Sequence, residues 1–230
     1  MVIGNGMIAK RFSKYADDKN IVVFASGVSN SAGATGADYE REEILLQQVI
    51  EQHPGSTLIY FSTCSIYDPS LRQSLYVLHK LKMEQLIKKN VPAHIIFRVS
   101  NPVGVTQNGH TVLNYFIQHI KTQQHFTIWQ YASRNLIDID DMYKICDYII
   151  NNNQSYNSTI NIANPVNYPV INIIEAIENH FGKKGNYLLA EKGNSPLIDT
   201  TDIQLLFSKL HIEFNQHYLP ALLQKYFPVS

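Results

Sequence analysis

Short apolar runs rich in β-branched and aromatic residues alternate with longer helical stretches through the first half of the chain. Ile21-Val22-Val23-Phe24, Thr57-Leu58-Ile59-Tyr60-Phe61 and residues 93–97 are continuous rather than alternating, the pattern of strands buried on both faces. Between them, residues 40–52 place Ile44, Leu45, Val49 and Ile50 on one helical face and stop at His53-Pro54-Gly55. Residues 75–89 read as a second helix. Strand, helix, strand, helix, strand predicts an α/β fold with a parallel sheet and right-handed crossovers. Ligands of such sheets bind outside the carboxyl ends of the strands, so the residues that follow each run are where chemistry is expected.

Those residues are distinctive. Val2-Ile3 is a short first strand, and Gly4-Asn5-Gly6-Met7-Ile8-Ala9 leads from it into a helix. Gly-x-Gly-x-x-Ala in that position lets backbone approach a pyrophosphate at a helix N-terminus; a plain tight turn is the alternative. Ala25-Ser26-Gly27 opens a loop of small residues after the second run, and this loop continues over 28–36. Ser62-Thr63-Cys64-Ser65-Ile66-Tyr67 clusters hydroxyls after the third; ordinary strand-end hydrogen bonding would also account for Thr63 and Ser65. Tyr76 and Lys80 fall one helical turn apart. An ammonium near a phenol favours phenolate, which suits Tyr76 to proton transfer at an alcohol oxygen. A surface i,i+4 pair is the simpler reading of that spacing alone.

The second half is mixed. Helices are expected over 111–121, 140–150 (with Asp140 as N-cap), 170–181 (stopped by Gly182), 202–209 and 218–226, and strands over 126–129, 135–139 and 159–162. A polar loop is expected over 151–155. With 230 residues, 45% hydrophobic and 17% charged, the chain suffices for one large domain with a sizeable core. Zero formal net charge provides no electrostatic case for nucleic acid or an anionic membrane, and no apolar run approaches a membrane span. Cys64 and Cys146 are far apart in apolar settings, which argues against a disulfide framework or a metal site; Cys64 reads as a small buried filler. The opening Val2-Ile3-Gly4 shows no basic leader, so a reducing cytoplasm is the expected compartment.

Taken in order, six of these segments make the chain resemble an extended short-chain dehydrogenase/reductase of the NAD-dependent epimerase/dehydratase family, whose members modify nucleotide sugars. The six are Gly4 to Ala9, Phe24-Ala25-Ser26-Gly27, Phe61 to Tyr67, Tyr76 with Lys80, Arg98-Val99-Ser100-Asn101-Pro102-Val103-Gly104, and Arg134-Asn135-Leu136-Ile137-Asp138-Ile139-Asp140-Asp141. The resemblance implies a Rossmann-like domain over 1–104. It also implies a mixed segment over 105–230 that binds nucleotide sugar and partly completes the sheet. It implies NAD or NADP at Gly4, Asn5, Gly6, Met7, Ile8, Ala25, Ser26, Gly27 and Lys80. Tyr76, Lys80 and Thr63 would be catalytic, with Lys80 gripping the nicotinamide ribose and tuning Tyr76. Thr63, Ser65, Asn101, Trp129 and Arg134 would bind substrate, with Arg134 on the diphosphate; a surface ion pair with Asp138 or Asp140 is the alternative for Arg134. His79 is expected on the helix surface. The helices over 40–52 and 75–89 would form a homodimer interface.

Three departures from the family pattern shape the expected function. Too few residues separate Ala9 from Ile21 for the two strands and acidic residue that normally hold the adenosine half of the dinucleotide, so two edge strands are expected to be missing. Cys64-Ser65 stands where 4,6-dehydratases carry Asp-Glu, which argues against dehydration. Lys192 lies where a second arginine often contacts the diphosphate. The leading expectation is an epimerase or 4-ketoreductase acting on a nucleotide sugar. A non-redox isomerase that no longer uses NAD, such as a pyranose–furanose mutase, is the second, and a catalytically silent nucleotide-sugar-binding protein the third.

Overall fold

The computed structural model describes residues 1–28, 33–152 and 156–229. The loop positions 29–32 and 153–155 named above lie outside these residues. In chain order the elements are β1 (Val2–Ile3), α1 (Met7–Arg11), β2 (Ile21–Phe24), α2 (Gly36–Gln52), β3 (Thr57–Thr63), α3 (Leu75–Asn90), β4 (His94–Val99), β5 (Asn101–Val103), α4 (Val112–Thr122) and β6 (Phe126–Trp129). They continue with β7 (Ser133–Arg134), β8 (Leu136–Asp138), α5 (Ile139–Asn151), β9 (Ser158–Ile162), β10 (Tyr168–Pro169), α6 (Val170–Phe181), β11 (Tyr187–Ala190), α7 (Gln204–Lys209) and α8 (Tyr218–Tyr226).

The central sheet is parallel, with order β1-β2-β3-β4-β9. Its registers include Ile3 with Phe24, Val23 with Ile59, Ile59 with Ile95 and Phe97 with Ile160. The strands are apolar on both faces because helices cover both. Val22, Phe24, Leu58, Tyr60 and Ile96 pack with Leu46 and Val49 of α2 and Met83 and Ile87 of α3. Val23, Ile59, Ile95, Phe97 and Ile160 pack with Phe12 and the apolar stripe Met142, Ile145, Cys146 and Ile149 of α5. A second core gathers Leu113, Ile117 and Ile120 of α4, Ile173, Ile174 and Ile177 of α6, and Leu219, Leu222 and Leu223 of α8 around Ile128 and Leu136. The short pairs β5–β8, β6–β11 and β7–β10 border that second core.

Among the described residues β1 has one neighbour, β2. In the usual doubly wound order the first strand is central, flanked on one side by the strands that carry the adenosine half of a dinucleotide. Here it forms an edge, as the short spacing from Ala9 to Ile21 predicts.

Several boundaries differ from the sequence reading for identifiable reasons. Helix α2 begins at Gly36 rather than 40, because the Thr35 N–H donates to Asp38 Oδ2 (2.8 Å), the return arm of a capping box. Its buried positions are Glu42, Leu46 and Val49, whereas Ile44 is exposed. Helix α5 is capped by Asp138, whose Oδ1 accepts the Asp140 N–H (2.7 Å), and not by Asp140. The strands β5 and β10 carry no continuous apolar run of their own and are held by their partners, whereas β11 is apolar throughout and was not expected. His79 is buried, not on the surface.

Candidate functional site

The glycine turn joins β1 to α1. Gly4 has φ +125°, and a Cβ there would lie 2.5 Å from the Ala25 carbonyl oxygen, so this position requires glycine. Gly6, the N-cap of α1, differs: the space beside it is open, and Ala9 is buried behind it. Gly104, at the end of the Arg98–Gly104 segment, packs so closely on Met7 that a Cβ would meet its Sδ at 2.7 Å. That contact places Met7 and the glycine turn beside the segment that carries Asn101. Asn5 is exposed, Ile8 half-buried and packed on the main core, and Ala25 and Ser26 half-buried, with the Ser26 carbonyl accepting from Arg41 Nη2 at 3.1 Å.

At the end of β3 the Thr63 hydroxyl accepts the Ser65 N–H and donates to Ser65 Oγ, both at 3.0 Å. The chain then makes a single 3-10 turn, Cys64–Tyr67. Cys64 is buried, donates to the Arg98 carbonyl (3.0 Å), and has its thiol pushed up to about 12 by burial, so it is an inert filler. Below the turn lies a clamp. Glu84 of α3 accepts Arg98 Nε at 2.9 Å and Nη2 at 2.6 Å, and also the Ser62 hydroxyl at 2.6 Å. Arg98 Nη1 reaches Tyr67 Oη (3.3 Å), which donates to Asn161 on β9 (2.9 Å). This fixes the turn relative to α3, β4 and β9.

Tyr76 is half-buried in the first turn of α3, where Ser74 caps the helix. Among the described residues nothing hydrogen-bonds its hydroxyl. The phenol lies near Tyr39 and Tyr60, adding to the forces that hold both of their pKa values up after burial itself.

Lys80 is 2% exposed and has its own partners. Its ammonium donates to Glu42 Oε1 (3.0 Å), Tyr60 Oη (3.2 Å) and the Phe61 carbonyl (3.4 Å). Glu42, 0% exposed, also accepts the Tyr60 hydroxyl (2.6 Å) and the Val28 N–H (2.6 Å). His79 Nε2 lies 3.2 Å from Glu42 Oε2 without meeting the geometry of a hydrogen bond. Burial pushes the Glu42 carboxyl up, and His79, Lys80, Tyr60 and Val28 together overcome this and hold it at about 2. Folding stability from this carboxylate is therefore present above pH 4.5 and is lost as pH falls towards 2, because the unfolded carboxyl takes up its proton first. Thermal denaturation between those limits is expected to show an acid limb on the order of 3 kcal/mol deep that shrinks in Glu42→Gln.

Asn101 is half-buried and donates to the Asn135 carbonyl (2.8 Å), and Asn135 in turn donates to Asn167 Oδ1 (2.9 Å). Arg134, on β7, is half-buried, and among the described residues its guanidinium makes one hydrogen bond, to the Ser133 carbonyl (2.8 Å). Among the described residues no carboxylate pairs with it. Burial lowers its pKa and the Asp68 carboxylate, just beyond the 3-10 turn, acts in the opposite sense, which places Arg134 towards the Thr63–Asp68 segment. Its alternative partners are engaged elsewhere: Asp138 and Asp140 both receive Lys225 (2.8 and 2.6 Å), and Asp140 also receives Arg11. Trp129 is 45% exposed at the end of β6. Hydrogen bonds from the Tyr131 N–H to the Lys192 carbonyl (2.9 Å) and from the Ser133 hydroxyl to Ser195 (2.7 Å) lay the exposed Lys192 segment alongside. A cleft of about 510 Å³ at the ends of β3 and β9, lined by Tyr67, Asp199, Thr200 and Phe207 among others, includes neither Tyr76 nor Arg134.

The structure thus brings Thr63 and Ser65 together and links the glycine turn to the Asn101 segment, and it leaves Arg134 without a carboxylate partner among the described residues. Among the described residues it does not hydrogen-bond Tyr76 to Lys80. For a nicotinamide dinucleotide, Gly6 fits a pyrophosphate. Among the described residues no strand pairs with the outer edge of β1, where the adenosine half of a dinucleotide is expected, and the Lys80 ammonium is hydrogen-bonded within the protein. Sequence reasoning missed Glu42, Tyr60 and Glu84. Their signal was their spacing: Glu42 with Leu46 and Val49, and Glu84 with Lys80 and Ile87, lie on the buried helical stripes.

A family model described as the NAD dependent epimerase/dehydratase family matches residues 21–163, beginning after the glycine turn. UDP-glucuronic acid 4-epimerase from Bacillus cereus in complex with NAD is 19% identical, superposes with a TM-score of 0.67, and is matched over 91% of this chain and 72% of that one. UDP-N-acetylglucosamine 4-epimerase from Methanobrevibacter ruminantium M1, in complex with UDP-N-acetylmuramic acid, is 17% identical with a TM-score of 0.68 over 91% and 76%. UDP-N-acetylglucosamine 4-epimerase from Bacillus cereus is 18% identical with a TM-score of 0.68 over 97% and 93%. No curated protein matches in sequence. The solved structures share the Rossmann-type α/β fold seen here. Because the family model spans more than half of the chain, the protein belongs to the NAD dependent epimerase/dehydratase family.

Proposed function

We propose that the protein is an enzyme that modifies a nucleotide sugar by proton transfer at a sugar hydroxyl. The observation that carries this is Arg134, a half-buried cation with no carboxylate partner among the described residues, whose guanidinium is bonded only to the Ser133 carbonyl there. A partly desolvated guanidinium suits a diphosphate. In this reading Asn101 and Trp129 would contact the nucleotide sugar as well, and Thr63 and Ser65 would supply hydroxyls for the sugar. Tyr76 is the acid/base, with a phenol free to meet a sugar oxygen.

An epimerase or 4-ketoreductase would also need a hydride carrier. The non-redox isomerase, of which a pyranose–furanose mutase is one example, needs only proton transfers. The edge position of β1 favours this second chemistry, since the platform for half of the dinucleotide is not among the described residues.

In thermal-shift and calorimetric titrations, a UDP-, dTDP- or GDP-sugar is expected to raise the melting temperature. Arg134→Met is expected to weaken that binding roughly 10- to 100-fold without unfolding the protein. Unchanged affinity in Arg134→Met, or no response to any nucleotide sugar, would sink the reading.

A further inference from the structure

The Lys80 environment carries an inference of its own. All three donors of its ammonium are used within the protein, on Glu42, Tyr60 and the Phe61 carbonyl. Glu42 lies on α2, and its second oxygen is tied to the Val28 N–H in the loop after β2. That loop closes over the pair: a Cβ on Gly27 would fall 2.4 Å from the Lys80 ammonium and 3.0 Å from Glu42 Oε1. The unit is charge-neutral, hydrogen-bonded and almost wholly buried. Turning Lys80 outward to a ribose would leave the buried Glu42 carboxylate without its ammonium, with only Tyr60, Val28 and the nearby His79 beside it, which is unfavourable, and a hydrogen bond to a ribose hydroxyl returns only a fraction of that cost.

We propose that Glu42 has replaced the cofactor as the partner of Lys80, so that the nicotinamide-ribose subsite is shut from within and the protein works without a nicotinamide dinucleotide. Glu42 is a positioning residue in this scheme. It holds Lys80 on Tyr60 and the β3 backbone. The exclusion of the dinucleotide stands on the Glu42–Lys80 geometry alone. That the resulting chemistry is redox-neutral on a nucleotide sugar rests on the function proposed above.

The test uses the full chain and two probes, NADH and reduced nicotinamide mononucleotide. The second needs only the nicotinamide-ribose subsite, so it is insensitive to the missing adenosine platform. Each is titrated to about 1 mM, where micromolar binding would be saturated, with nicotinamide fluorescence as readout. The wild type is expected to bind neither and to release no dinucleotide on denaturation. Glu42→Gln, which keeps the side-chain shape but frees the lysine charge, is expected to bind the mononucleotide detectably. Micromolar binding or co-purified NAD(H) in the wild type overturns the proposal, as does a folded Glu42→Gln that binds no better. If Glu42→Gln does not fold, Lys80→Met decides: it is expected to lower the melting temperature, with partial recovery in the Glu42→Gln/Lys80→Met double variant, and an unchanged melting temperature overturns the proposal. A nucleotide sugar is run in parallel. Failure of the nucleotide sugar to bind, with the dinucleotide probes also silent in the wild type, refutes the substrate assignment and leaves the Glu42–Lys80 assignment standing.

Discussion

Tyr76→Phe is expected to lower turnover of the nucleotide sugar by roughly 10²- to 10⁴-fold, the usual worth of a positioned acid/base group, while nucleotide-sugar binding stays near wild type. The substitution removes one oxygen from a half-buried ring in the first turn of α3. Among the described residues that oxygen makes no hydrogen bond, so its loss leaves no buried partner unpaired and the melting temperature should barely move. Substrate contacts assigned to Arg134, Asn101 and Trp129 are untouched. The measurement is turnover together with a thermal shift in the presence of the nucleotide sugar. Loss of turnover with an intact thermal shift supports the assignment, and full turnover in the variant refutes it. The same experiment separates chemistry from folding, which a change at Lys80 cannot do because the lysine holds part of the core together.

Arg98→Ala is expected to destabilise the fold by about 3–5 kcal/mol, the cost of leaving a buried carboxylate without its cation. Glu84 is 2% exposed and receives two guanidinium hydrogen bonds as well as the Ser62 hydroxyl. Its carboxyl is lowered although burial pulls it upward, because Arg98, Ser62 and Lys88 outweigh that burial. The guanidinium also steadies Tyr67 and, through it, Asn161 of β9. Removing it loosens both the clamp and the 3-10 turn that carries Ser65. Urea denaturation with an unchanged m-value would report the loss as stability. Adding Glu84→Gln should restore part of it, because the unpaired charge rather than the missing guanidinium contacts accounts for most of the cost. A loss below about 1 kcal/mol, the range of an exposed ion pair, would show that the clamp does not hold in solution.

Much of the fold was legible in the residue order. The strands read over Ile21–Phe24 and Thr57–Phe61 are present, the latter extended to Thr63, because a strand covered by helices on both faces needs no polar alternation, and a continuous β-branched run serves little else. The requirement for glycine at position 4 was legible for a related reason, since a strand-to-helix turn against Ala25 leaves no room for a side chain. The shortened sheet was legible as missing chain between Ala9 and Ile21. The helices were less transparent. Their periodicity was read by placing apolar residues inside and charges outside, which put Ile44 on the wrong face of α2 and left His79 at the surface of α3. In the folded protein Glu42, Lys80 and Glu84 occupy the buried stripes because each finds an opposite charge on a different element.

That difference sets the boundary between the two kinds of information in this protein. The strand positions, the glycine turn and the hydroxyl-rich end of β3 follow from local composition and spacing, because backbone sterics and apolar burial act within a few residues of their cause. The partner of Lys80 does not. Glu42 is 38 residues away in sequence, and only the packing of α2 against α3 over β3 brings the two charges together. Arg134 is the converse case: Asp138 and Asp140 lie within reach along the chain, and tertiary contacts with Lys225 and Arg11 draw them away. Sequence placed the charges at candidate positions. Which charge meets which, and which is left to meet a ligand, was decided by long-range packing, since Coulomb attraction between side chains depends on distance and burial in space and not on separation along the chain.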